Sequence, residues 1–331
     1  MPSVRPAQLV DAILDAISQS GEATGLVSAV RTHPRRFAVS GPHGAVILWV
    51  YAWTLTPGGR PQLADEYRIQ MTSVTSPLPL NPDGPTLLIG YEPSLNVFGG
   101  FDISRHRTFT IGSPSVQISL SSLQQALQDG MAFYRKQNEE ITVAFRPDDF
   151  MVYARNAPAL HRAGRSLPAF RMLARASTRQ SIPETALANL NSERRRVVQT
   201  ISRVSRDRNF SDQVLHAYDR RCAVTRLQLR LLDAAHVVPV DAPGSPDHVT
   251  NGIALSPTYH RAFDHGLIYL DENHTMRINQ SRMNVLAQAN LVGGLDAFRA
   301  PLGRIHLPSD ARQWPDPRFI RRANTYRHIE M

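Results

Sequence analysis

Between Arg36 and about Pro147 apolar residues come in short runs and alternations, punctuated by glycine, proline, asparagine and aspartate, which is the pattern of strands joined by turns. Ala45 to Leu55 is rich in β-branched and aromatic side chains, and Tyr67 to Val74 alternates weakly. Thr86 to Tyr91 follows the turn Asn81-Pro82-Asp83-Gly84, and Val97 to Ile103, Val116 to Leu120 and Ile141 to Arg146 complete the set. Two stretches carry helical spacing instead. Pro2 to Ser18 puts Leu9, Ile13 and Ile17 on one stripe. Ser121 to Lys136 opens with Ser121 and Gln124 spaced as a capping box and continues with Leu123, Leu127 and Met131. The pattern predicts an α+β N-terminal domain: a strongly bent sheet or partial β-barrel with few helices.

From Ala154 to Pro183 the periodicity fades while arginine, serine and proline accumulate, so the domain boundary is expected there. This gives an N-terminal domain over 1–158, a basic linker over 159–185 and a C-terminal domain over 186–331. Two domains also suit a chain of 331 residues. A basic helix is predicted from Glu184 to about Arg206, with Glu193 ahead of Arg194, Arg195 and Arg196; it is either a solvated face or a surface that follows phosphates. No repeat with a period between 20 and 50 residues is visible.

Charge sharpens this division. The net charge is +9, and residues 1–160 hold 12 Lys+Arg against 13 Asp+Glu while residues 161–331 hold 25 against 15. An excess confined to one half suggests a polyanion-binding module joined to a neutral one, and nucleic acid is the commonest polyanion. With Cys222 as the single cysteine, disulfides within the chain and cysteine-rich zinc sites are ruled out. The longest apolar run, Ala45 to Leu55, is too short to cross a bilayer, and Asp11 and Asp15 interrupt what a signal peptide would keep apolar, so a cytoplasmic protein without membrane association is expected.

The chemistry concentrates between Asp219 and Leu270. Apolar residues from Leu231 lead into His236, a strand-pair candidate reaching Val240, and a turn runs from Asp241 to Pro246. Asn251-Gly252 then opens a second apolar segment, Ile253 to Leu255. Ser256-Pro257 is a strong helix start, and a helix beginning there sets His260 and Asp264 four residues apart on one face, which is metal-ligand spacing.

His236, Asn251 and His260, within DAAHVVP and NGIALSPTYHRAFDHG, resemble the HNH nucleases of the ββα-metal class, in particular the branch with one cysteine in a CAVT context before the first histidine. The resemblance spans about Arg206 to Asn279, and the segment from Leu307-Pro308 to Trp314-Pro315 is similar to this branch as well. It implies a C-terminal ββα-metal domain that hydrolyses phosphodiesters. His236 would be the general base, a role that suits a histidine near neutral pH, Asn251 the brace of the loop, and His260 a ligand of Mg²⁺ or Mn²⁺. The family often carries an acidic residue or a second histidine directly before the base, where this chain has Ala235. Asp264 is the preferred second ligand, with Asp233 in reserve. Cys222 reads as a small buried apolar residue, Arg220, Arg221 and Arg261 as phosphate clamps, and His248 and His265 as bystanders.

Together these readings point to a restriction-type endonuclease acting on double-stranded DNA, as a homodimer, at sites chosen by the N-terminal domain. The recognised feature is either a short sequence or a modified base. Trp49, Tyr51 and Trp53 alternate along one strand and so share a face. They form either a packed aromatic core or a platform that holds a flipped base, and the platform reading tilts towards modification. Two other classes remain: a DNA-binding regulator with a decayed nuclease domain, favoured by Ala235, and a non-specific toxin-type nuclease.

Overall fold

The structure is a computed structural model that describes residues 4–42, 44–58, 65–110, 112, 114–229 and 231–329. It divides into two compact units, Met1–Ser205 and Arg206–Met331. In chain order the first unit contains α1 (Pro6–Gln19), β1 (Ala23–Leu26), β2 (Arg35–Gly41), β3 (Gly44–Thr54), β4 (Thr56–Pro57), β5 (Glu66–Gln70), β6 (Thr86–Glu92), β7 (Val97–Phe101), α2 (Ile103–His106), β8 (Ser115–Ser119) and α3 (Leu120–Asp129). It continues with β9 (Met131–Arg135), β10 (Ile141–Phe145), α4 (Phe150–Ala163), α5 (Leu167–Ser177) and α6 (Glu184–Ala188). The boundary falls within α7 (Ser192–Ala217).

The α+β expectation holds. Seven strands form one sheet in the order β1-β2-β3-β6-β7-β10-β9, antiparallel except for the parallel pair β3 and β6. A second sheet runs β4-β5-β8. The alternation of β3 sorts its side chains: Leu48, Val50 and Ala52 enter one core with α1, α4 and α5, while Tyr51 joins Leu55, Ile69 and Ile118 in another between the sheets. The central strands β7 and β10 are buried along their whole length because both of their faces are covered. The stripe Leu9, Ile13 and Ile17 of α1 is buried as its spacing predicts, each side chain contributing about 1.5–3 kcal/mol.

Three expectations change. The helix from Ser121 stops at Gly130, whose φ of +84° is left-handed, and Met131–Arg135 becomes β9, paired with β10. Met131 is buried in that strand, whereas Leu127 is exposed on the helix.

The stretch expected as a basic linker is helical. Leu160, Ala163, Ala169, Leu173 and Ala176 recur at helical spacing and are buried in the first core, so the unit extends to Ser205 and carries more helices than the strand pattern suggests. Small alanines against many exposed arginines weaken the amphipathic contrast that would mark these helices in the sequence. The basic helix is likewise split in two, with the Asn191 side chain accepting from the Arg194 backbone as α7 begins.

The third change concerns charge. Residues 1–205 hold 21 Lys+Arg against 15 Asp+Glu, net +6, and residues 206–331 hold 16 against 13, net +3. Most of the excess therefore belongs to the helical part of the first unit.

The second unit contains β11 (Asp233–His236), β12 (Gly252–Leu255), α8 (Pro257–Asp264), β13 (Ile268–Leu270), β14 (Met276–Ile278), α9 (Gln280–Gln288), α10 (Leu295–Arg299) and α11 (Pro317–Tyr326). The partner of β11 is β12 and not a segment running on to Val240. The tail is tied in: the Trp314 indole N–H donates to the Pro308 carbonyl at 2.7 Å, and the Pro315 carbonyl lies 2.8 Å from His274 Nε2. Among the described residues no helix is long and apolar enough to cross a membrane.

Candidate active site

The site is assembled by the antiparallel pair β11 and β12 followed by α8. Register sets Asp233 opposite Leu255 and His236 opposite Gly252. Gly252 has an extended backbone (φ −129°), so its lack of a side chain answers close packing and not a turn. A Cβ there would lie 2.2 Å from Val214 and 3.0 Å from Phe210, both on α7. Gly252→Ala is expected to destabilise the protein by about 1–3 kcal/mol through overpacking, measurable as a lowered midpoint in chemical denaturation.

His236 is mostly buried. Its ring stacks on Phe210 with centroids 3.7 Å apart and planes 14° apart, and its Nε2 lies 3.0 Å from Asp247 Oδ1. Since an ionised carboxylate can only accept, Nε2 carries the hydrogen in this pair, and in neutral imidazole Nδ1 is then the proton acceptor. Asn251 is buried and holds the chain just beyond His236. Its backbone carbonyl accepts from Val237 N at 2.8 Å, its Oδ1 accepts from Val238 N at 2.9 Å, and its Nδ2 donates to the Pro246 carbonyl at 2.9 Å and to Ser245 Oγ at 3.2 Å.

α8 starts at Pro257 as its sequence signature predicts, but the Ser256 side chain makes no capping bond to the helix. The Ser256 backbone N–H instead points at Cys222 Sγ, 3.3 Å away. Cys222 is buried as expected. Burial raises its pKa, but hydrogen bonds from Thr225, Ser256 and Val224 outweigh that and leave the thiol below its ordinary value.

One turn into α8, His260 is partly exposed between two carboxylates: Nδ1 lies 3.1 Å from Asp233 Oδ2 and Nε2 lies 3.2 Å from Asp264 Oδ2. The structure thus brings the preferred and the reserve ligand to the same ring. Among the described residues no three His, Cys, Asp or Glu side chains are arranged to hold a metal ion. Each ring nitrogen with its carboxylate nevertheless offers nitrogen and oxygen at the spacing of about 3 Å that neighbouring ligands keep around a small octahedral cation. This donor chemistry fits Mg²⁺ or Mn²⁺ held by two protein groups with water or phosphate oxygen elsewhere.

Arg220, Arg221 and Arg261 are exposed and make no ion pair among the described residues. His248 and His265 contribute no side-chain hydrogen bond there. Three residues near the site escaped sequence reasoning. Phe210 was legible in principle, because Phe210, Val214 and Ala217 continue helical spacing past Arg206. Asp247 lies in the loop eleven residues after His236 and meets it only when that loop folds back. Arg327, near the C-terminus, donates from Nη1 to the Val237 carbonyl at 2.8 Å and lies 4.5 Å over the Phe263 ring. Burial lowers its pKa, while Asp264 acts in the opposite direction. No local pattern marks Asp247 or Arg327.

The aromatic strand is in the first unit. Tyr51 is buried, with its hydroxyl donating to the Pro79 carbonyl, and Trp53 is half-buried. Trp49 is half-buried beneath the Arg36 guanidinium, 4.5 Å from its ring. The core reading therefore describes Tyr51, while Trp49 and Trp53 keep part of their surface open.

Residues 222–271 match the HNH endonuclease family. Residues 46–154 match the methylase-associated X1 family. No curated protein matches the chain. Among solved structures it is similar to a modification-dependent TagI restriction endonuclease, with 13% identity, 84% of this chain and 80% of that chain covered, and a TM-score of 0.28. The C-terminal part of the chain is an HNH endonuclease domain, and a methylase-associated X1 domain precedes it.

Proposed function

We propose that the protein is a restriction-type endonuclease that hydrolyses phosphodiester bonds of double-stranded DNA at sites chosen by its first unit. The observation that carries this reading is the pairing of His236 with Asp247 at one end of β11 and of His260 with Asp233 at the other, on a ββα framework. His236 Nδ1 takes the proton of the attacking water, and Asp247 at Nε2 stabilises the imidazolium so formed. Asn251 fixes the backbone that carries His236. A divalent cation held by His260 with Asp264 or Asp233, when bound, offsets charge on the phosphoryl group and the departing 3′ oxygen. Arg220, Arg221 and Arg261 supply cations for neighbouring phosphates. Cutting both strands with one such site per chain calls for two copies, so the working form is read as a homodimer.

The decayed-nuclease reading rests on Ala235, which removes a carboxylate next to the base. Asp233 reaches His260 from the same strand and supplies a carboxylate by another route, which weighs against that reading. The basic helices of the first unit favour DNA contact by that unit, since they carry charge outside the catalytic domain.

The test is to incubate the intact protein with methylated and unmethylated plasmid in Mg²⁺ or Mn²⁺. Discrete bands from methylated plasmid alone are the expected result and select modification dependence. Bands from both would select sequence recognition, a smear would select a non-specific nuclease, and intact plasmid throughout would select the regulator.

A further inference from the structure

A cavity of about 670 Å³ opens in the first unit beside the end of β3, and His33, Arg35, Trp53, Gln70 and Thr72 are among the residues that line it. Its volume is that of an ordinary small-molecule site. Three features suggest its occupant. The first is a set of parallel rings: His33 stacks on Trp53 with centroids 4.5 Å apart and planes 11° apart, and Tyr51 is parallel to both within 12°. Such a layer offers planar ligands a stacking surface.

The second is Arg35, which is 3% exposed and has no carboxylate partner among the described residues. Its Nε donates to the Val30 carbonyl and its Nη1 to the Ala52 carbonyl, while Nη2 makes no hydrogen bond to the described residues. A guanidinium this deeply placed, with no acid among the described residues of the cavity wall, leaves donors for a ligand that brings oxygen or nitrogen acceptors. The third is His33, whose buried Nδ1 has no hydrogen-bond partner among the described residues. Burial, reinforced by the charge of Arg35, lowers its pKa to about 4, so the ring is neutral near pH 7 and stacks without adding charge.

We infer that this cavity receives a single nucleobase extruded from the DNA duplex, stacked on the Trp53 and His33 layer and hydrogen-bonded to Arg35 through its ring acceptors. The inference rests on the proposed DNA reading and assigns the modified-base choice to this cavity, with Trp53 the member of the aromatic strand that serves it. Trp49, under Arg36, lies outside it. A free nucleotide has the same ring chemistry, and the experiment separates the two sources.

The full-length protein is titrated, in EDTA to prevent hydrolysis, with fluorescent duplexes that are fully paired or carry one mismatch, each unmodified or with 5-methylcytosine or N6-methyladenine. A mismatched base is cheaper to extrude, so the mismatch is expected to tighten wild-type binding by roughly tenfold. Trp53→Ala is expected to abolish that gain, and Trp53→Phe to restore most of it by returning a stacking face. A wild-type protein that binds paired duplex with no mismatch gain, or a gain that survives in Trp53→Ala, overturns the assignment. Competition by free dCMP or dAMP without a mismatch gain assigns the cavity to a soluble nucleotide and overturns the extruded base. Failure of the wild-type chain to bind any duplex overturns the DNA reading itself, and this assignment with it.

Discussion

His236→Ala is expected to slow DNA cleavage by roughly 10² to 10⁴-fold and to leave duplex affinity within about threefold, since it removes a proton acceptor and no cationic contact with phosphate. Asp247→Asn tests the same chemistry one group further out. The carboxylate beside Nε2 selects the tautomer that leaves Nδ1 free to accept and then stabilises the imidazolium; an amide at 3.0 Å does the first unreliably and the second hardly at all. A loss of about tenfold to a hundredfold is expected, smaller than that of His236→Ala, and a double variant should cost little more than His236→Ala alone because Asp247 acts through the ring. Single-turnover cleavage on saturating enzyme measures all three variants without interference from binding. His236→Ala cutting within tenfold of wild type would remove His236 as the base, and additive losses in the double variant would mean that Asp247 acts elsewhere.

The parts of this fold that were legible in the sequence are those whose signals are local. The α1 stripe, the aromatic strand β3 and the Ser256-Pro257 start of α8 are each written in fewer than twenty residues, and each appears where its pattern puts it. The strand β9 at the end of the helix-like stretch after Ser121 is hidden because Met131 continues an i, i+4 series that Gly130 breaks only through its backbone conformation. The end of the first unit at Ser205 is hidden for a different reason. Arginine and proline between Ala154 and Pro183 look like a solvated connector, yet Pro158 is accommodated within α4 and Pro168 lies in the first turn of α5, where a missing N–H costs nothing. At the candidate site, His236, Asn251 and His260 are legible because their spacing is short and directional. Asp247 and Arg327 reach His236 and its neighbour only through loop closure and the packing of the last helix, which no spacing rule reports.

Metal titration is expected to rank the groups around His260 as His260→Ala, then Asp264→Asn, then Asp233→Asn in decreasing effect. An imidazole nitrogen that binds a cation cannot also donate to a carboxylate. One of the two aspartates must therefore share the cation with His260, and the other accepts from the remaining ring N–H and fixes the orientation of the ring. Asp264 is the expected co-ligand. It lies one turn away on the same helix, so the helix itself sets its 3.2 Å approach to Nε2, whereas Asp233 opens a four-residue strand and reaches Nδ1 across from it. Asp264→Asn weakens a ligand charge directly and is expected to raise the Mg²⁺ or Mn²⁺ concentration for half-maximal cleavage by roughly 10 to 100-fold, with Asp233→Asn nearer the lower end of that range. His260→Ala removes the one group common to both pairs, and cleavage should not saturate with metal at all. A larger effect from Asp233→Asn would transfer the ligand role to the strand and the orienting role to α8. Indifference to both aspartates, with His260→Ala still inactive, would leave His260 to hold the cation with water and DNA phosphate oxygens alone.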